Sequence, residues 1–386
     1  MDSKNISLPE KPVGGGKVLY VFLSAMLLAL VALAFAGSTA DAVPPGTEAS
    51  NCATGVDFLG FSDAFDKQSF EGTEVGGLSA LTYDKRRNVY YSLVDNGPED
   101  SSPARFYTLK APVDRSGLGT PEILDVTILR DASGKPFTAE TFDGEGITLT
   151  RNGELLISSE TEPSIYRFSL DGQLLGKLPV PEKFLVTPEG EAQANRTFES
   201  LDLSPNGRSL FTAVEAPLAS DGQTEDGRNR IRIVRYEDRG TGGFMPTEEF
   251  FYLTEPGQSV VEIAALSEKE LLVLERSFVP GEGNTIRIYR VSLKRAEDVS
   301  DEPTLANPTL EPVNKELLVD LADCPSGGAT TPGTQDNPLL DNYESLEIGP
   351  RLPGGRRSLL LQSDDNFNDV QVTRLVALGA RLQPNR

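Results

Sequence analysis

Residues 199–215 read ESLDLSPNGRSLFTAVE and contain the clearest structural signal in the chain. Two short runs of alternating apolar residues flank a Pro-Asn-Gly turn at 205–207, and Glu199 and Glu215 stand at the outer ends of the runs. This pattern is typical of an antiparallel β-hairpin. Because the first residue of one strand lies beside the last residue of its partner, both carboxylates are expected at the end of the hairpin away from the turn.

The same hairpin plan recurs four more times. Each copy has a strand, a polar turn, a second strand and an acidic residue at its end, and the copies are GGLSALTYDKRRNVYYSLVD (76–95), EGITLTRNGELLISSE (145–160), EIAALSEKELLVLE (262–275) and ESLEIGPRLPGGRRSLLLQSDD (344–365). Successive copies begin far enough apart to leave room for a second hairpin in each repeat. Four strands per repeat predict an all-β fold, a β-propeller with five countable blades and a possible sixth.

The two ends of this repeated region are expected to close the ring. The segment FLGFSDAF (58–65) supplies one candidate strand, and QVTRLVALGARL (371–382) supplies its candidate partner. A β-sandwich rarely repeats one hairpin five times, and the repeats of a β-helix are much shorter.

The N-terminus has the features of an export signal. Lys4, Lys11 and Lys17 precede an apolar run at 18–36, and Ala-Asp-Ala follows at 40–42. These features predict a secretory signal peptide, although the apolar run is long enough for an uncleaved membrane anchor. The sequence therefore predicts a signal or anchor over 1–42, a linker over 43–57 and a propeller over 58–386, placed outside the cytoplasm as a periplasmic or secreted protein.

Composition narrows the classes of function. The 386 residues include 58 acidic and 36 basic side chains, for a net charge of -22, so a nucleic-acid partner is not expected. There is no histidine, which excludes histidine-dependent triads and histidine-ligated zinc. Proton transfer would depend on Asp, Glu, Lys, Tyr or metal-bound water. The expected partner is a small molecule, the expected state is a monomer, and any membrane contact is through the N-terminal segment.

Two cysteines remain, Cys52 and Cys324. In an oxidising compartment this pair predicts one disulfide that joins the ends of a closed structure. Two separate buried thiols are the alternative, because the sequence gives no distance between them.

If the five hairpins form the inner strands of the blades, their acidic ends meet at one mouth of the central channel. Carboxylates at close range raise one another's pKa unless cations or arginines neutralise them. Oxygen ligands suit Ca²⁺ or Mg²⁺. The candidate metal ligands are Glu145, Glu160, Glu199, Glu215, Glu275, Asp364 and Asp365. In the predicted hairpins, Glu262 stands opposite Glu275, and Glu344 stands opposite Asp364, at the ends of the strands. Arg105 and Arg276 flank acidic positions and are candidates for binding an anionic substrate. Alternatively, the acids hold backbone amides of neighbouring blades.

Several of these motifs resemble the phytase-like family known for "esterase-like activity of phytase". The resemblance covers about residues 58–382, and its motifs include DGEGI (143–147), ESLDLSPNGRSLF (199–211), LVLERSF (272–278) and YESLEIGP (343–350). It implies an exported propeller hydrolase that acts on phosphate or carboxylate esters. The sequence shows no cluster of Lys and Arg like that of calcium-dependent propeller phytases, so the resemblance does not extend to phytate as substrate.

Two functions therefore stand as hypotheses. The first is an exported phytase-like or esterase-like hydrolase that uses divalent cations at an acidic central mouth. The second is a non-catalytic binding or scaffold propeller whose carboxylates are structural or hold Ca²⁺.

Overall fold

The structure is a computed structural model that describes residues 51–97, 102–240 and 243–382. These residues form 25 β-strands, numbered here in chain order. The first ten are β1 (Asn51–Ala53), β2 (Val56–Ser62), β3 (Gln68–Phe70), β4 (Thr73–Val75), β5 (Leu78–Asp84), β6 (Val89–Val94), β7 (Arg105–Lys110), β8 (Val113–Asp114), β9 (Gly117–Leu118) and β10 (Glu122–Ile128). Blade one is the sheet β5-β6-β7-β10, and β3-β4 and β8-β9 are small accessory ribbons.

Blades two, three and four are each built from four consecutive antiparallel strands. Blade two comprises β11 (Gly144–Leu149), β12 (Glu154–Ser159), β13 (Ser164–Ser169) and β14 (Leu174–Leu178). Blade three comprises β15 (Phe198–Leu203), β16 (Ser209–Val214), β17 (Arg228–Asp238) and β18 (Phe244–Pro256). Blade four comprises β19 (Ser259–Ser267), β20 (Glu270–Val279), β21 (Gly283–Ser292) and β22 (Asn314–Asp320).

Blade five combines strands from both ends of the propeller. Its strands are β23 (Tyr343–Arg351), β24 (Arg357–Ser363) and β25 (Leu375–Ala380), followed in the sheet by β2 and β1. Strand β2 pairs antiparallel with β25, and Phe58 lies opposite Leu378. The predicted closure of the ring by N- and C-terminal strands is therefore confirmed.

The inner strands of the five blades form a closed circle. Strand β5 contacts β11, and the contacts continue through β15, β19 and β23 back to β5. The predicted β-propeller is confirmed, with five blades. The polar turns of the five repeats lie between the paired inner strands, as predicted. In blade two, for example, Asn152 and Gly153 lie between β11 and β12, and Gly153 has a φ of 83°.

Both faces of the inner hairpins are buried because blades stack on each other. All six residues of β6 are buried, as are six of the seven residues of β24. Between blades five and one, for example, Leu360 belongs to the same apolar cluster as Leu81 and Tyr107. Strands buried on both faces read as continuous apolar runs, which explains why VYYSLV (89–94) and SLLL (358–361) lack strict alternation.

A disulfide joins Cys52 to Cys324, with their Cα atoms 4.1 Å apart. Cys52 lies on β1 in blade five, and Cys324 follows a single 3-10 turn at Leu321–Asp323 after β22 in blade four. The described residues begin with β1 at Asn51, inside the segment 43–57 that the sequence assigned to a linker. The predicted signal or anchor at 1–42 lies outside the described residues.

Two further 3-10 turns are present in the described ranges, at Glu182–Phe184 and Pro353–Gly355. None of the helices described is long and apolar enough to span a bilayer.

Replacing Cys52 and Cys324 by alanine is expected to lower the free energy of unfolding by about 2–4 kcal/mol, because the disulfide restricts the unfolded chain over a separation of 272 residues. Urea unfolding followed by fluorescence measures the change. Reduction with dithiothreitol should lower the stability of the wild type similarly and leave the double variant unaffected. Equal unfolding midpoints for the wild type and the double variant would contradict the expectation.

Candidate functional site

A repeated backbone hydrogen bond identifies equivalent residues at one end of the inner hairpins. In blades one, two, three and five, the residue after the second strand donates its N–H to the carbonyl of the residue before the first strand. These bonds are Asp95 to Gly77 (2.7 Å), Glu160 to Asp143 (2.9 Å), Glu215 to Thr197 (2.9 Å) and Asp364 to Asn342 (2.9 Å). In blade four, Ser259 and Arg276 lie opposite each other at this position. Blades one, two, three and five therefore contribute an acid at this position, and blade four contributes an arginine.

Each inner hairpin also contains a β-bulge close to this end. The pairing register shifts between Leu78/Ala80, Gly144/Ile147, Phe198/Ser200, Val260/Glu262 and Tyr343/Ser345. A bulge inserts one unpaired residue and redirects its side chain, and bulges are frequent beside active sites. The inserted positions are Ser79, Glu145, Glu199, Val261 and Glu344. Three glutamates thus join the strand-end acids.

Electrostatic coupling shows that these side chains meet across blades. Repulsion from Glu199 and Asp95 contributes to the raised pKa of Glu145, and Glu199 in turn is affected by Glu160 and Glu344. We call this group the acidic mouth and define it as Asp95, Asp143, Glu145, Glu160, Glu199, Glu215, Glu344 and Asp364, together with Arg276. It contains the predicted ligands Glu145, Glu160, Glu199, Glu215 and Asp364.

Burial is the main cause of the pKa shifts in the acidic mouth. It raises the pKa of Asp95, Glu145, Glu199 and Asp364 well above the ordinary carboxyl range, and repulsion from neighbouring carboxylates adds to the shift. Burial also raises the pKa of Glu160 to about 8, against a hydrogen bond from Thr197 that lowers it. Without a cation, the carboxyl groups of the acidic mouth therefore retain protons to a higher pH than exposed carboxyl groups do.

Several acids of the mouth are held by protein donors. Glu160 accepts a hydrogen bond from the backbone N–H of Thr197 in the next blade, and Glu215 pairs with Arg196 at 2.8 Å. Glu344 lies 3.1 Å from the guanidinium of Arg276. The contacts of Glu160 and Glu344 join neighbouring blades, as the structural interpretation of the acids anticipated, whereas the Glu215–Arg196 pair lies within blade three.

Three carboxyl groups form an open cluster between blades one and two. Asp95, Asp143 and Glu145 each offer one oxygen, and the three oxygens lie within 4.8 Å of one another. Asp95 Oδ1 is buried and has no hydrogen-bond partner among the described residues. A buried carboxylate oxygen without a donor is costly, and an all-oxygen donor set is the kind that Ca²⁺ and Mg²⁺ use. These three residues therefore fit a divalent cation.

The structure places Glu275 outside the acidic mouth. Its buried carboxylate accepts hydrogen bonds from the Tyr252 hydroxyl (2.5 Å) and the Glu255 N–H (2.9 Å), and it pairs with Lys315 at 2.7 Å. The repeat at 262–275 is one residue shorter at each end than the equivalent stretch of the hairpin in the structure, and a shift of one residue moves a side chain to the other face of a strand. Arg276 therefore occupies the position that was assigned to Glu275.

The opening position of blade four needs the same correction, because Val261 and not Glu262 occupies its bulge. In blade one the bulge position is occupied by Ser79. Glu262 lies deeper in the channel, where its pKa is raised by burial and by repulsion from Asp202 and Glu347.

The other two predicted site residues bind the protein itself. Asp365 accepts hydrogen bonds from Gly77 N–H at 3.0 Å and from Lys67 Nζ at 2.6 Å. Arg105 is buried on β7 and donates to the carbonyl of Glu74 at 2.8 Å and to the Tyr107 hydroxyl at 3.1 Å. These contacts hold the chain around β4 against blade one.

Asp143 is the functional candidate that the sequence reasoning missed. It stands in the DGEGI motif two residues before Glu145, at a position where the other blades have Gly77, Thr197, Ser259 or Asn342. An acid at this position in one repeat alone was the available signal.

The fold and this site define a five-bladed β-propeller with a carboxyl-rich central mouth. The model of the Phytase-like family, described as "Esterase-like activity of phytase", matches residues 73–367, and the chain belongs to that family.

Other proteins are more distantly similar. An uncharacterized secreted protein of Arthroderma benhamiae is 24% identical over 127 residues, which cover 26% of this chain and 25% of that protein. The periplasmic gluconolactonase PpgL of Pseudomonas aeruginosa has 13% identity and a TM-score of 0.33, covering 78% of this chain and 85% of its own. A glucose dehydrogenase has 13% identity and a TM-score of 0.33, covering 79% and 81%.

In the presence of a chelator, the protein is expected to lose stability as the pH rises from about 4.5 to about 8. Folding raises the pKa of Glu160 from 4.5 to about 8, so in this window the folded chain retains a proton that the unfolded chain has released. Melting temperatures measured at intervals of pH test this. Glu160→Gln cannot ionise but keeps an oxygen for the Thr197 N–H, and it should make the slope shallower.

The matched control is Glu122→Gln, at an exposed position on β10, which should reproduce the wild-type slope. If Glu160→Gln and the wild type melt with the same dependence on pH, the assignment of a raised pKa to Glu160 is wrong.

Proposed function

We propose that this protein is an exported hydrolase of phosphate or carboxylate esters that uses a divalent cation, Ca²⁺ or Mg²⁺, at the acidic mouth. The observation that carries the proposal is the open cluster of Asp95, Asp143 and Glu145, in which one buried oxygen has no donor. The description of the family, esterase-like activity of phytase, supports ester hydrolysis as the reaction class.

Export is supported by two independent observations. The N-terminus has the basic, apolar and small-residue regions of a secretory signal. The Arthroderma benhamiae relative is described as secreted. In a compartment outside the cytoplasm, the disulfide between Cys52 and Cys324 is stable and millimolar Ca²⁺ is available to weak sites.

The open cluster would hold the cation through one oxygen from each of its three residues. When bound, a divalent cation supplies positive charge that stabilises negative charge developing on an ester and makes water more acidic. The raised pKa values of Asp95 and Glu145 mean that binding a cation releases protons.

Arg276 is placed to orient an anionic substrate. One terminal nitrogen of its guanidinium lies 3.1 Å from Glu344 and the other donates to Asn342 Oδ1 at 2.5 Å, while its buried Nε has no acceptor among the described residues. An oxyanion at the mouth can accept from Nε and from the remaining N–H groups.

Glu199 is the proposed proton acceptor. It occupies the bulge of blade three that corresponds to the bulge of Glu145 in blade two, and the two inner strands β11 and β15 are neighbours. Repulsion from Glu199 adds to the burial that raises the pKa of Glu145. In a chain without histidine, a carboxylate with a raised pKa suits this role near neutral pH.

A scaffold function remains the second candidate, and the contacts of Glu160 and Glu215 favour it for those two residues. Glu160 of blade two binds the Thr197 N–H of blade three and so contributes to cohesion between blades, and Glu215 pairs with Arg196 at the start of its own blade. The two candidates differ in what removal of Glu145 or Glu199 does.

Glu145→Gln and Glu199→Gln are each expected to reduce ester turnover by at least about 100-fold while the protein remains folded. The first removes a cation ligand and should also weaken Ca²⁺ binding, measured by calorimetry. The second should leave Ca²⁺ binding largely intact. Turnover is measured on aryl phosphate and aryl acyl esters with Ca²⁺, with Mg²⁺ and with chelator.

Glu262→Gln is the matched control, because Glu262 is a buried inner-strand glutamate of the same channel outside the acidic mouth. Its turnover should equal that of the wild type. The hydrolase proposal would be wrong if the wild type bound no cation and cleaved none of the esters. Loss of stability in both mouth variants would then favour the scaffold function.

A further inference from the structure

A cavity of about 1050 Å³ lies at the other end of the channel, where the turns of the inner hairpins converge. Its walls include residues from the turns, or from the strand ends next to the turns, of all five blades. Six of the lining side chains are cationic, and we call them the basic mouth: Lys85, Arg86, Arg87, Arg151, Arg351 and Arg357. This concentration of positive charge contrasts with the net charge of -22 for the whole chain.

Backbone carbonyls fix three of these guanidinium groups. Arg86 donates to the carbonyl of Arg151 at 3.2 Å, Arg151 donates to that of Pro205 at 3.4 Å, and Arg357 donates to that of Gly349 at 3.3 Å. A carbonyl positions a guanidinium without cancelling its charge. The arginines are thereby held in place before any ligand arrives, which lowers the entropy lost on binding.

Most of the basic mouth has no compensating carboxylate. Arg87 lies 3.8 Å from Asp84. Within the described ranges, no ion pair is formed by the other five cations, Lys85, Arg86, Arg151, Arg351 and Arg357. Exposed arginines and lysines in an acidic protein usually find acidic partners nearby, so five without one form an unusual local excess of positive charge.

Arg351 and Arg357 add a second, independent observation. They are direct register partners in the β23–β24 hairpin, a position where two like charges destabilise a sheet. The pKa of Arg357 is lowered by burial and then by repulsion from Arg351. A bound anion between the two guanidinium groups would relieve this repulsion.

Besides Asp84, three acids line the cavity, and within the described ranges none of them forms an ion pair with the basic mouth. Glu270 is already paired with Lys294 at 2.9 Å and Arg290 at 3.4 Å. Burial raises the pKa of Glu347 well above its ordinary value, so burial disfavours its charged form. Asp202 accepts hydrogen bonds from the N–H groups of Leu203 (2.6 Å) and Ala265 (2.7 Å).

We propose that the basic mouth is a binding site for a small polyanion, a molecule whose charge lies on two or more phosphate or carboxylate groups. The cavity has the size of a small-molecule site, and several arginines converging from different turns can bind more than one oxyanion. The site lies at the opposite end of the hairpins from the acidic mouth, and the proposal does not depend on ester hydrolysis.

Calorimetric titration of the mature, metal-free protein in chelator at low salt tests the proposal. Pyrophosphate and citrate are the probes, and the tighter of the two assigns phosphate or carboxylate as the preferred group. Without metal, the acidic mouth repels both probes. Arg351→Gln combined with Arg357→Gln is expected to weaken binding at least about tenfold, because two charge-assisted contacts are lost.

Lys110→Gln combined with Arg115→Gln is the matched control, since it removes the same charge from exposed positions outside the cavity. It should change the affinity by less than about twofold, the scale of non-specific surface electrostatics at a distance. Glu145→Gln should bind the probes like the wild type, which separates this site from the acidic mouth. Absence of binding to the wild type, or equal losses in the two double variants, would overturn the proposal.

Discussion

Strands β2 and β25 come from opposite ends of the propeller and pair in one sheet. Their pairing makes the fifth blade and brings β23 against β5, so that the inner strands form a circle. The Cys52–Cys324 disulfide connects the outermost strand of this blade to blade four. Because each blade buries both faces against its neighbours, an unpaired β2 would expose the edge of β25 and separate blades five and one. The convergence of carboxyl groups in the acidic mouth depends on this closure.

That convergence carries an electrostatic cost. Burial and mutual repulsion raise the pKa of Asp95, Glu145 and Glu199, so ionising them together destabilises the fold. A donor from the neighbouring blade relieves part of the cost at Glu160, and Arg196 of the same blade does so at Glu215. They do not relieve it at Asp95 Oδ1, which has no partner among the described residues. Functional sites often contain buried groups with shifted pKa values, and a bound cation would lower the electrostatic free energy of these carboxylates.

The sequence predicted the architecture because its signals are local. Apolar runs, turn residues such as Asn152-Gly153 and a repeated plan identify hairpins and their number without knowledge of distant contacts. Register is different, since a bulge adds one residue without any mark in the sequence. Blade four was therefore displaced by one position, and Glu275 was chosen where Arg276 belongs. The basic mouth was missed for a related reason: its cations come from separate turns around residues 85, 151 and 351 and meet only in the folded ring.

The opposite charges of the two mouths follow from the topology of a single hairpin. Every inner hairpin has an open end and a turn end. At the open end, four of the five hairpins carry acids at strand termini or bulges, and at the turn end polar residues are free to vary. Between them the channel is joined by side chains that bridge blades. Asp202 of blade three accepts from Thr148 of blade two at 3.2 Å and from Ala265 of blade four at 2.7 Å. Because these bonds fix the inner strands without using any cation of the basic mouth or any carboxyl group of the acidic mouth, the turns can change their charge without moving the acids at the other end.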